Sequence, residues 1–350
     1  MFKYKSWIDR VERVRGDTEG RYGHIRLDKN EQVRDIPPLI WEKIRLVWNP
    51  EVLQAYPEPE KTYQLLSKFH QKSINNFLIT SGADAGIKCL FDLCVQPHGQ
   101  VVALDPTFAM VRIYCDLYHA QKRFVSFPSD LNLNPKDILS QINSRTALVV
   151  IANPNSPTGT FIETEWMERI AQKALESNAV LLIDEAYADF DQISHFLLSD
   201  VFYNVAIVRT FSKAWGLAGL RIGYIYASEK LAHRLYKFRP MYEASGPALL
   251  TAQILLKNWD EVKKYCEEIR TGRLFFIKAL DELGLNYIPT KTNFIHVDVG
   301  KEKQRVRKLL SERGILVHNG LPLKEYQSYL RITLASTSVM KNVVQVLEEI

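Results

Sequence analysis

The chain has 350 residues, 46% of them hydrophobic and 24% charged, with 45 Lys and Arg against 40 Asp and Glu and a net charge of +5. That length can bury one large and one smaller core, and the composition is that of a globular protein rather than a disordered or collagenous one. Charge of both signs is mixed even in the densest basic stretch, 10–26, so no nucleic-acid footprint is expected.

Residues 1–30 combine charge with scattered aromatics and read as an arm that packs on another part of the molecule. The start, M-F-K-Y-K-S-W-I-D-R, has no apolar signal core, and the longest apolar runs, such as 147–152, are far too short to span a bilayer. A cytoplasmic protein without membrane contact is expected. Pro37, Pro38, Pro50, Pro57 and Pro59 punctuate the route to Glu60, and an amphipathic helix is expected over 60–72. Strand 77–80 then leads through Ser81-Gly82-Ala83-Asp84 into a helix ending near 95. That strand–turn–helix arrangement aims free N–H groups and a helix dipole at one spot, which suits an anion.

A regular alternation follows. Strand 101–104 runs through Asp105-Pro106-Thr107-Phe108 into a helix, and 124–127 is a further strand. A helix over 135–142 precedes the apolar strand 147–152 and the turn Asn153-Pro154-Asn155-Ser156-Pro157-Thr158-Gly159. Helix 163–177, strand 180–183 with Asp184-Glu185-Ala186-Tyr187 after it, strand 205–208 and strand 222–226 complete the series. Short apolar strands alternating with helices predict an α/β fold with a mostly parallel, seven-stranded-type sheet flanked by helices. Every polar motif lies just beyond a strand, where such sheets gather their ligands.

From about 229 the texture changes. Long helical patterns fill 247–283, followed by strand 293–299, helix 302–313, strands 315–317 and 329–334 and a last helix. The expected division is an arm (1–30), a large domain (31–235) and a smaller α/β C-terminal domain (236–350) that the arm joins. Cys89, Cys94, Cys115 and Cys266 form no C-x-x-C pair and the eight histidines no H-x-x-x-H, so neither a disulfide framework nor a metal site is expected.

The stretch 208–224, V-R-T-F-S-K-A-W-G-L-A-G-L-R-I-G-Y, carries the chemistry. A lysine nucleophile needs partial desolvation or neighbouring cations, and Ser212, Lys213 and Arg221 together suit a Schiff base beside a phosphate. That is the requirement of pyridoxal 5'-phosphate (PLP). Asp184, at a strand end, is placed to hold a protonated ring nitrogen; opposite charges near 4 Å attract by about 4 kcal/mol at an effective dielectric of about 20. Tyr187 could bond the ring's phenolic oxygen, Phe108 could stack on the ring, and Arg331 could clamp a substrate carboxylate through its fork of donors. A nucleotide-driven ATPase is the competing reading, but 81–88, S-G-A-D-A-G-I-K, does not match G-x-x-x-x-G-K-S/T.

T-F-S-K-A-W-G-L-A-G-L-R-I-G-Y, N-P-N-S-P-T-G, L-L-I-D-E-A-Y and Y-L-R-I-T-L-A-S resemble the fold-type-I PLP aminotransferases, in particular the histidinol-phosphate aminotransferase family, over about 26–350. The resemblance implies that Lys213 bears PLP and carries the proton, Asp184 pairs with the pyridine nitrogen and Tyr187 with the phenolic oxygen. It implies phosphate contacts from Ala83, Asp84, Ser212 and Arg221, ring stacking by Phe108, and substrate contacts from Arg331 and Asn30. Tyr56 matches a tyrosine that reaches the partner subunit's cofactor, which implies a homodimer. Where the family has two asparagines before P-T-G this chain has Asn155 then Ser156, and either could serve the phenolic oxygen. Ala55 stands for an arginine before Tyr56, and Asn30-Glu31-Gln32-Val33 is a reduced form of the usual N-terminal run. Transamination of an L-amino acid with a keto acid or aldehyde is the expected reaction. Decarboxylation of the threonine-phosphate type, found in the same family, is the alternative.

Overall fold

The computed structural model describes residues 3–13 and 20–350; the first two residues and part of the basic stretch 10–26 lie outside them. From the N-terminus come β1 (Ile25–Leu27), α1 (Pro38–Val47), α2 (Pro50–Gln54), α3 (Glu60–His70), β2 (Phe77–Thr80), α4 (Ala83–Cys94), β3 (Gln100–Asp105), α5 (Ala109–Leu117) and β4 (Gln121–Ser126). The middle holds α6 (Pro135–Gln141), β5 (Thr146–Ala152), α7 (Thr164–Glu176), β6 (Val180–Asp184), α8 (Phe196–Val201), β7 (Val205–Thr210), β8 (Gly223–Ala227) and α9 (Glu229–Tyr236). The remainder is α10 (Gly246–Lys257), α11 (Trp259–Glu282), β9 (Tyr287–Ile288), β10 (Phe294–Asp298), α12 (Lys303–Glu312), β11 (Ile315–Val317), β12 (Tyr329–Thr333) and α13 (Thr337–Leu347).

Seven strands form the main sheet in the order β2-β8-β7-β6-β5-β3-β4, and only β8 runs against its neighbours. Both faces are buried, which is why the strands read as continuous apolar runs. Along β5, Leu148 and Val150 face the cluster built with α4, α5 and α9, while Val149 and Ile151 face the one built with α6, α7 and α8. The antiparallel sense of β8 has a consequence for the site: its start, at Gly223, lies at the same sheet edge as the ends of the parallel strands. Arg221 is thereby brought to the edge where β2, β3, β5, β6 and β7 deliver their polar loops.

Two small sheets lie outside the main one, antiparallel β12-β10-β9 and the parallel pair β1-β11. The β1 pairing ties the arm to the C-terminal segment. Three features differ from the sequence expectation. The proline-punctuated stretch before Glu60 contains α1 and α2, because Pro38 and Pro50 sit in the first helical turn, where a missing N–H costs nothing. β4 starts at Gln121 rather than 124, its exposed polar edge hiding the pattern. The long helical region is interrupted at Asn258, between α10 and α11.

Gly272, within α11, marks the closest approach of that helix to the turn after β12: a Cβ there would stand 1.9 Å from the Ala335 carbonyl oxygen. Gly272→Ala should therefore destabilise the fold by about 1–3 kcal/mol through overpacking. Urea unfolding would show a lower midpoint at unchanged slope; an unchanged midpoint would mean that the helix can move aside.

Candidate active site

A cavity of about 180 Å³ opens at the carboxyl edge of the main sheet. Ala83, Asp84, Phe108, Ser156, Asp184, Tyr187, Ser212, Lys213 and Arg221 line it, together with Ala152, Pro154, Ala186 and Thr210. Nine residues singled out in five separate stretches of sequence thus share one space.

One end is built for an anion. Gly82 at φ +84° turns β2 into α4, and no side chain caps that helix, so its first N–H groups are open. Arg221, itself in the left-handed region, donates from Nη1 to Ser212 Oγ at 3.2 Å and to the Ala218 carbonyl at 3.1 Å. A Cβ on Gly82 would sit 2.8 Å from Arg221 Nη2, so the helix start and the guanidinium are held in near contact. Asp84 does not offer its carboxylate to an anion: its Oδ1 accepts from the Tyr114 hydroxyl at 2.8 Å.

At the other end lies Asp184, which is buried. Burial pushes its carboxyl up to about 6 from an ordinary 3.8, Glu185 pushes the same way, and the Ala186 amide and the Lys213 charge offset this only in part. Oδ1 accepts from the Ala186 N–H at 3.0 Å, and no donor among the described residues is bonded to Oδ2. A buried carboxylate with one open oxygen in a cavity is matched to a cation such as a pyridinium.

Lys213 is half-buried, with Nζ donating to the Lys29 carbonyl at 2.9 Å and lying 5.4 Å from the centre of the Tyr187 ring. Tyr187 is buried, and burial alone would raise its pKa. The charges of Lys213 and Arg331, with hydrogen bonding from Asn30 and Ser156, outweigh that and bring the phenol below the usual tyrosine value. Asn30 Nδ2 donates to the Tyr187 hydroxyl at 2.9 Å. Asn30 itself is held by Thr333, which accepts from its N–H at 3.0 Å, and by Asn293, whose Nδ2 donates to its carbonyl at 3.2 Å.

Arg331 does not line the cavity but lies behind Tyr187. It is 9% exposed, donates from Nη2 to the Asp28 carbonyl at 2.8 Å, and has a buried Nε with no partner. Burial lowers its pKa, which Tyr187 and Asp28 partly counter.

The sequence left Asn155 and Ser156 as alternatives, and the structure places the two differently. Asn155 is not among the residues lining the cavity: its Nδ2 donates to the Pro106 carbonyl and Thr158 Oγ1, and its Oδ1 accepts from Thr107. Its amide is consumed in fastening the turn, and Ser156 is the residue of that pair that faces Tyr187. Tyr56 lies outside the cavity of its own chain, 75% exposed and stacked on Tyr242 with ring centres 4.2 Å apart. Sequence reasoning missed Thr210, whose Oγ1 accepts from the Ser212 N–H at 3.1 Å, although it stands in the same R-T-F-S-K run. It also missed Thr333 and Asn293, whose part depends on contacts far along the chain.

Residues 34–348 match the family aminotransferase class I and II. The chain belongs to that family. Among its relatives, the histidinol-phosphate aminotransferase of Thermoanaerobacter sp. (strain X514) is 31% identical over 330 residues, 93% of this chain and 92% of that one. The histidinol-phosphate aminotransferase of Christiangramia forsetii is 30% identical over 311 residues, covering 86% and 87% of the two chains. The solved histidinol-phosphate aminotransferase of Sinorhizobium meliloti, in complex with pyridoxal-5'-phosphate, superposes with a TM-score of 0.82 at 26% identity, over 93% of this chain and 91% of that one. A putative histidinol-phosphate aminotransferase from Erwinia carotovora atroseptica, at 20% identity and a TM-score of 0.84 over 93% and 95% of the chains, shares the fold. The protein is thus a PLP-dependent aminotransferase of fold type I, and the open anion cradle at α4 and the open Asp184 oxygen fit that cofactor. No helix among the described residues is long and apolar enough to cross a membrane.

The raised Asp184 pKa makes a prediction for PLP-free protein. The folded chain holds that proton more tightly than the unfolded chain, so stability from this position falls as pH rises from about 4 through 6. Asp184→Asn cannot ionise and should stabilise PLP-free protein at pH 7, relative to its effect at pH 4, by on the order of 2–3 kcal/mol. Urea unfolding at the two pH values checks this. An equal effect at both would show that the carboxyl ionises freely.

Proposed function

We propose that the α4–Ser212–Arg221 cradle holds the cofactor phosphate, that Lys213 is the residue bearing PLP, and that Arg331 takes the α-carboxylate of an amino donor. The observation that carries this reading is the convergence of Lys213, Tyr187 and a buried Asp184 on one cavity, with the unpartnered Arg331 Nε behind it. PLP, when bound, supplies an electron sink for charge developing at the substrate Cα.

The side chains divide the remaining work. Asp184, buried and negative, keeps the ring nitrogen protonated, and its cost of burial is offset when that cation arrives. Tyr187, acidified by its neighbours, sets the charge at the ring's phenolic oxygen, with Asn30 and Ser156 orienting its hydroxyl. Phe108, in the cavity wall, would cover one ring face. Lys213 would supply the amine for covalent attachment and, with substrate bound, the base that carries a proton to and from Cα. Residues 236–350, with the arm, form the unit that presents Arg331.

The substrates are an α-amino acid donor and a keto or aldehyde acceptor, and the names of the relatives make histidinol phosphate the first amine to test. Lys213→Ala should take up no PLP that borohydride can fix covalently and should show no multiple turnover. Arg331→Lys should raise KM for carboxylate-bearing donors by about tenfold or more, because an ammonium cannot reproduce the fork. Amino transfer to 2-oxoglutarate measured beside carbon dioxide release separates transamination from decarboxylation. Carbon dioxide without transfer would overturn the assignment of reaction type.

We infer a homodimer as well. Leu46, Leu53, Tyr56 and Tyr242 are 80, 70, 75 and 49% exposed, and Trp41 and Trp48 join them; these apolar side chains are where a second copy would pack. Sedimentation equilibrium should give twice the chain mass of 40.4 kDa, and the single-chain mass would refute it. Four free cysteines suit the reducing cytoplasm.

A further inference from the structure

On the face of the main sheet opposite Asp184, a chain of buried polar side chains runs beneath the cavity. Successive residues of a strand point to opposite faces, so Glu185 turns away from the cofactor side as Asp184 turns toward it. Glu185 Oε2 accepts from Arg209 Nε at 2.7 Å, and Arg209 Nη1 bonds Asp189 Oδ1 at 2.7 Å. Asp189 Oδ2 accepts from the Trp215 indole N–H at 2.9 Å. In the other direction Glu185 Oε1 accepts from His195 Nδ1 at 2.7 Å, and His195 Nε2 is approached by Asn153 Nδ2 at 3.4 Å. Glu185 and His195 are 1% exposed and Arg209 7%.

The order of attachment matters more than the strength of any one bond. Asn153 opens the turn that carries Ser156; Glu185 lies between Asp184 and Tyr187; Arg209 and Trp215 flank Lys213. The chain therefore fastens the ends of β5, β6 and β7 to one another at the three loops that line the cavity. It adds side-chain ties to the backbone bonds at the strand ends, where the Asn153 N–H donates to the Asp184 carbonyl and the Glu185 N–H to the Val208 carbonyl, both at 2.9 Å, and it reaches further along the loops, to Asp189, His195 and Trp215. Arg209 suits the central place: its planar fork reaches two carboxylates and the Ile193 carbonyl at once. Glu185 stays ionised, because Arg209 and His195 more than counter its burial.

We propose that the chain Asn153–His195–Glu185–Arg209–Asp189–Trp215 is a positioning device that sets the placement of Lys213 relative to Asp184 and Tyr187. It rests on the assignment of Lys213 as the PLP-bearing residue. None of the six is a catalytic residue in this view, because none touches the cavity.

The decisive variants are Trp215→Phe, which removes one indole N–H and keeps an aromatic ring, and Arg209→Lys, which keeps the charge and loses the fork. The readouts are the visible absorbance of the PLP-loaded protein as a function of pH, and kcat and KM for an amino donor. In each variant the pH midpoint of the absorbance change should shift. The kcat should fall by about tenfold or more, since an ångström of misplacement is worth up to roughly a hundredfold, while KM stays within about twofold. A purely structural role would lower the urea midpoint and leave the absorbance profile and the kcat of folded protein as in the parent, and that result overturns the proposal. If Arg209→Lys fails to fold, Trp215→Phe decides alone. A parent chain that takes up no PLP would overturn the functional reading itself, whereas normal uptake with unshifted variants overturns only the positioning role.

Discussion

The pairing of β6 with β7, which sets Asp184 beside Val208, is the constraint on which the site depends. It puts the end of one strand, with its buried carboxyl, next to the strand that five residues later delivers Lys213. A shift of one residue would turn Asp184 to the opposite face of the sheet and bring Glu185 toward the cofactor side. Leu181 and Ile183 pack on one face of β6 and Leu182 on the other, so the slip would also require both cores to repack.

Around that register the protein carries an unusual density of buried charge. Asp184, Glu185, Asp189, Arg209 and Arg331 are all largely withdrawn from water, and each is costly unless matched. On the side away from the cofactor the matching is internal: Arg209 answers both Glu185 and Asp189. On the cofactor side it is incomplete. Asp184 keeps an open oxygen and a raised pKa, Arg331 an unpartnered Nε, and α4 an uncapped N-terminus. What the protein leaves open is one carboxylate oxygen and two sets of N–H donors, complementary to a cation and to anions.

Tyr187 connects these halves. Its hydroxyl takes Asn30 from the N-terminal arm, its electrostatic surroundings include Arg331 from β12, and it follows directly from the β6 end. Asn30 in turn is bonded to Thr333 and Asn293. A single phenol thus joins the arm, the main sheet and the C-terminal strands.

Much of this was legible in the amino-acid order. Apolar runs of strand length between helical periods determined the sheet and its layers, and the polar stretches after those strands singled out Lys213, Asp184, Tyr187 and Arg221, which share one cavity. Side-chain periodicity is local, so a local pattern suffices to reveal it. Which hydrogen bond a polar side chain spends is not local. Only the folded chain decided that Asn155 fastens its own turn while Ser156 faces the cavity, that Asn30 meets Tyr187 across 157 residues, and that Arg209 binds together Glu185 and Asp189 beneath the site. α1 and α2 were hidden for a related reason: proline is compatible with a helix's first turn, and packing against α10, which lies some two hundred residues away in sequence, completes what propensity leaves undecided.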